Sequence, residues 1–122
     1  MTPDELEARA RSFALRCIKV IDALPIQGSA RPIGQQLTRS ATSVYANYRA
    51  ARRARSNREF IAKLSIVVEE IDESEMWLVL IADSAMLPAT RLSQLRQEAG
   101  ELMRIFAASR KTASGKRNPP ST

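Results

Sequence analysis

Apolar residues recur along this chain at alternating intervals of four and three, and that spacing leaves few folds open. The longest run is Phe60, Leu64, Val67, Ile71, Ser74, Leu78, Ile81 and Ala85. A mean interval of 3.5 places all of them on one face of a helix, whereas a strand needs alternation at every second residue. The same spacing joins Leu6, Ala10, Phe13, Cys17, Val20 and Leu24, then Ile33, Leu37, Ser40, Val44, Asn47 and Ala51. It appears a fourth time in Leu92, Leu95, Ala99, Leu102, Phe106 and Ser109. Four such segments in 122 residues make one domain. The expectation is an all-α, antiparallel up-down four-helix bundle. Its core is aliphatic, since hydrophobic residues reach 44% while aromatics supply only 5%.

Punctuation between the seams agrees. Thr2 caps the first helix, with Pro3 in its first turn and Glu5 three residues after the cap. Pro25 ends it, and Pro32 opens the second. Ser56-Asn57-Arg58-Glu59 reads as a capping box, so the third helix begins there. Pro88 marks the last turn. From Arg110 the chain reads RKTASGKRNPPST, basic and with glycine and proline. The bundle is therefore assigned to 1–110 and a disordered basic tail to 111–122.

Several side chains sit awkwardly on this scheme. Cys17 falls on a seam and reads as a small core residue rather than a reactive thiol. Asn47 on the second seam is either a register-setting polar group or part of a site. Glu75 lies among Ile61, Val68 and Val79, so it needs a partner, with Arg39, Asn47 or a tyrosine hydroxyl as candidates. Ile66, Met76, Trp77 and Leu80 lie on the far side of the third helix, where they make a contact surface for a second subunit or a partner, joined by Tyr45. No lysine or arginine occurs between Leu64 and Thr90, and Glu69, Glu70, Asp72, Glu73, Glu75 and Asp83 form an acidic girdle there.

The opposite charge collects at the break between the second and third helices. Arg49, Arg52, Arg53, Arg55 and Arg58 fall within ten residues, beside a helix N-terminus that itself favours anions. With a formal charge of +6, the chain suits an acidic partner, nucleic acid before an anionic membrane. The alternative is a solvated corner kept charged for solubility.

Other chemistry is absent from the pattern. There is no histidine and only one cysteine, which removes the commonest general base and metal ligand and leaves no intrachain disulfide or thiolate metal cluster. No glycine-rich phosphate loop or nucleophile–base pair is visible, which points to a non-enzymatic protein without cofactor or metal. No apolar run reaches membrane-spanning length and MTPDELEARAR has no apolar signal core, so a cytoplasmic location is expected.

QLTRSATSVYANYRAA, followed by EFIAKLSIVVEEIDESEMWLVL, resembles the bacterial four-helix-bundle family encoded in intervening sequences of large-subunit ribosomal RNA genes. That family includes the accessory variability protein of diversity-generating retroelements. The resemblance runs from about Phe13 to Phe106, with Arg39 and Asn47 matching a polar signature in the second helix and Glu75 and Trp77 one in the third. It implies a homopentameric ring with a basic surface for nucleic acid, and a reverse transcriptase as a possible protein partner. An oligomeric, sequence-nonspecific nucleic-acid binder is thus the first expectation. An adaptor for another protein is the second.

Overall fold

Thr2 and Ser56 start the first and third helices as the sequence predicts. The Thr2 hydroxyl accepts from the Glu5 amide and the Ser56 hydroxyl from the Glu59 amide, both at 3.1 Å. In the computed structural model, which describes residues 1–117, the helices are α1 (Pro3–Asp22), α2 (Ala30–Arg52), α3 (Asn57–Asp83) and α4 (Ala89–Arg117). The described residues form no strand.

Short connections reverse the chain each time, so α3 lies between α2 and α4 and touches both along its length. α1 leans on α2 and meets α4 least. Phe13 and Cys17 of α1, Leu37 and Val44 of α2, Leu64, Ile71 and Leu78 of α3, and Leu92, Leu102 and Phe106 of α4 are all closed to solvent. Burial of each large side chain contributes about 1.5–3 kcal/mol, against ~0.2–1 kcal/mol for an exposed ion pair. The seams therefore set the fold, and the surface charges decorate it.

Two buried hydroxyls interrupt this core. Ser40 and Ser74 are 2.8 Å apart across α2 and α3, and each also reaches a carbonyl on its own helix, Leu37 at 3.3 Å and Glu70 at 2.8 Å. Small, satisfied side chains let the two helices approach closely here. On the other side, Arg9 closes the looser α1–α4 seam with a two-pronged contact to Glu98, at 2.6 and 3.0 Å.

Three expectations are corrected. On α2 the buried stripe is Leu37, Ser40, Ala41, Val44, Tyr48 and Ala51, with Asn47 only half-buried. Both registers share Leu37, Ser40, Val44 and Ala51; the Tyr48 ring decides between them by packing on Phe106 at 5.2 Å between centroids. Asn47 instead donates to the Ser43 carbonyl and hydroxyl on its own helix, at 3.0 and 2.8 Å.

The α3 seam stops at Ile81. Ala85 has left the helix and takes a left-handed conformation at φ 59°. The Met86 amide then donates to the Ile81 carbonyl at 3.2 Å and the Ala85 amide to that of Ala82 at 3.1 Å, the paired bonds that close a helix C-terminus.

The tail boundary also moves. α4 continues to Arg117, and its packing on the start of α3 reaches Ala113. The Asn57 side-chain amide donates to the Ala113 carbonyl at 2.8 Å, and Ala113 is buried. Residues 118–122 of the expected tail lie outside the described residues.

Candidate nucleic-acid interface

An even number of antiparallel helices brings four pieces of chain to one end of the bundle. These are the start of α1, the end of α2, the start of α3 and the end of α4. The arginine-rich break between α2 and α3 is the corner of that end.

The five arginines do not act alike. Arg52 reaches back to α1, 2.8 Å from Asp4 and 2.9 Å from Glu7. Its hydrogen bonds to Glu7 and then Asp4 raise its pKa further above the ordinary arginine value. Arg52 is a brace between α1 and α2, with its charge largely answered. Arg49 lies over the Tyr45 ring, 5.7 Å from its centroid. Arg53, Arg55 and Arg58 are exposed and form no ion pair among the described residues. The added turns of α4 carry Lys111 and Lys116 to the same end. Sequence reasoning assigned those cations to a loose tail. The signal it missed was Ala113, which continues the seam after Phe106 and Ser109 by a step of four.

Two clefts open on this end. One, of about 610 Å³, lies between the start of α1 and the break, and its lining includes Leu6, Tyr48, Arg52 and Ser56. The other, of about 520 Å³, lies between α3 and the end of α4, with Ile105, Thr112 and Lys116 among its lining. Asn57, Phe60 and Ser109 border both.

The remaining polar residues singled out from the sequence divide into two groups. Arg39 donates to Glu70 at 2.8 Å and to Glu73, and Glu73 also accepts from the Trp77 indole at 3.3 Å. Arg39, Glu70, Glu73 and Trp77 thus form one cluster along the outer α2–α3 seam. Asn47 and Glu75 stay out of it. The expected partners of Glu75 are corrected: the nearest cation is Arg96 of α4, 3.9 Å away.

On α3, Met76 keeps 43% and Leu80 42% of its surface open, and Ile66 36%. Trp77 and Tyr45 are half-buried and pack against the core. Of the expected contact residues, then, Ile66, Met76 and Leu80 face outward, whereas Trp77 and Tyr45 are partly committed to the protomer. No group of three or more His, Cys, Asp or Glu among the described residues is arranged to hold a metal ion. None of the described helices is long and apolar enough to cross a membrane.

No curated protein matches this chain. Among solved structures it is similar to a protein of unknown function from the S23 ribosomal protein family of Bacteroides thetaiotaomicron, at 26% identity and a TM-score of 0.81. The likeness covers 87% of this chain and 98% of that one. The family profile described as 23S rRNA-intervening sequence protein matches residues 5–108, nearly the whole of the four helices. The chain belongs to that family.

Proposed function

We propose that the protein is a non-catalytic oligomer, a ring of five copies, that binds nucleic acid through the arginine-rich end of each bundle without reading base sequence. The observation that carries this reading is the set Arg53, Arg55 and Arg58, exposed and without ion-pair partners among the described residues, at the end where α4 adds Lys111 and Lys116. Guanidiniums fork onto phosphate oxygens, and repetition around an assembly adds weak contacts along one strand or duplex. Arg49 belongs to the same surface, and Arg52 supports it from behind.

Phosphate neutralisation releases counterions, so affinity for duplex DNA should fall by about 0.9 log units per log unit of salt for each contacted phosphate. Replacing Arg53, Arg55 and Arg58 by Gln should flatten that slope by about 1 per arginine removed. Electrophoretic shifts across a salt series read this out. An unchanged slope, or no binding by the parent protein at ~50 mM salt, where phosphate contacts are strongest, overturns the proposal.

A second reading, an adaptor for a protein such as a reverse transcriptase, is favoured by the open apolar side chains Ile66, Met76 and Leu80. Binding that persists at high salt and is lost on changing those residues would move it to first place.

A further inference from the structure

The two clefts at the basic end have a lining that phosphate contacts alone do not use. Their borders include the apolar surfaces of Leu6, Tyr48, Phe60 and Ile105, and no carboxylate among the described residues lines either one, although the chain has 13 acidic residues. Ser56, Asn57, Ser109 and Thr112 place small hydroxyls and an amide among them. Phe60 packs against the core but is only half-buried; it is shared by both clefts and stands one helical turn inside the N-terminus of α3.

From this juxtaposition we infer that the clefts form one trough for unstacked bases of single-stranded nucleic acid, with Phe60 as its stacking surface. The inference rests on the phosphate-binding reading and narrows it from any nucleic acid to single strands.

Charge selects the occupant. Arg53, Arg55 and Arg58 stand on the chain that leads into Phe60, while Lys116 lines the far side. A polyanion tracking those cations brings its bases to the recess between them. A duplex keeps its bases stacked and offers only phosphates and groove edges, so it reaches the rim but not the floor. A single strand can turn bases out onto an aromatic face. Hydroxyls and amides can both donate and accept, so the trough tolerates any base. Each cleft also falls within the ~300–1,000 Å³ typical of small-molecule sites.

The test compares three labelled ligands by fluorescence anisotropy at ~50 mM salt, where phosphate contacts are strongest. They are a 15-residue thymidine strand, the same strand with its central sugars lacking bases, and a duplex of equal length. The full chain should bind the complete strand about tenfold or more tighter than the abasic one, the range for a stacked base. Phe60→Leu, which keeps apolar volume and removes the ring, should bring the complete strand down to the abasic level and leave the salt slope alone. Equal binding of complete and abasic strands by the parent protein overturns the trough while leaving the phosphate reading intact, and needs no variant to fold. A change of oligomeric state in Phe60→Leu with ligand preference retained assigns the trough to a contact between copies and also overturns it. Failure of all three ligands to bind sinks both readings together.

Discussion

Cys17 shows how fully the bundle closes over one side chain. Burial pushes its thiol up to about 12 from an ordinary value of 9.0. A thiol that cannot ionise is not a nucleophile, so a disulfide-exchange reagent should label it only after unfolding. The linkage has a definite sign. Above pH 9 the unfolded chain loses this proton while the folded one keeps it, so the stability contributed by Cys17 is complete below pH 9 and declines up to about pH 12. Chemical denaturation at pH 8 and pH 10.5 should therefore show a smaller loss in Cys17→Ala than in the parent. Equal losses would mean that the thiol is open to water. Arg52 makes the complementary point at the surface: it sits in a run of arginines, yet its neighbours in space are Asp4 and Glu7 from the far end of the sequence.

Each helix end has its own account. The C-terminus of α3 is closed by Ala85 in a conformation that glycine adopts freely and an L side chain adopts at a cost of about 1–2 kcal/mol. Ala85→Gly should raise the stability by about 0.5–1 kcal/mol, the net after the extra freedom glycine has when unfolded. A thermal melt that falls would show that the turn is held by something other than the backbone. Nothing in the alternation of apolar residues announced this turn, because Ala85 fits the seam as well as Ile81 does. Much else about the elements was legible. The third helix declared both its face and its cap, since Phe60 to Ile81 allow one helical register and Ser56 stands four residues ahead of Phe60. Asn47 and Tyr48 could not be separated, because either continues the α2 stripe and only the distant Phe106 chooses. The end of α4 was hidden by its composition: Lys111, Gly115 and Lys116 read as solvated chain until α3 is placed alongside. The pairing of Glu75 with Arg96 depends likewise on how two helices slide past one another, which no local pattern contains.

For the whole molecule, the open face of α3 is the place to test assembly. Met76 and Leu80 are exposed on the protomer, so a charge there leaves an isolated bundle nearly unaffected but is costly if a second copy covers it. Met76→Asp should therefore shift native mass spectra toward monomer without changing helix content. Trp77 is a poorer probe, since it packs on the core and its loss would disturb the fold itself. A parent protein that is already monomeric at micromolar concentration would remove the ring from the proposal. The up-down course of the chain has one more consequence, for anyone who wishes to handle the protein. Because the start of α1 and the end of α4 both lie at the arginine end, an affinity tag or dye attached at either of those helix ends stands over the surface where nucleic acid is proposed to bind. The connection at Gln27 and Gly28, at the opposite end of the bundle, is exposed. A short label inserted there reports on binding from a distance rather than competing for the same ground.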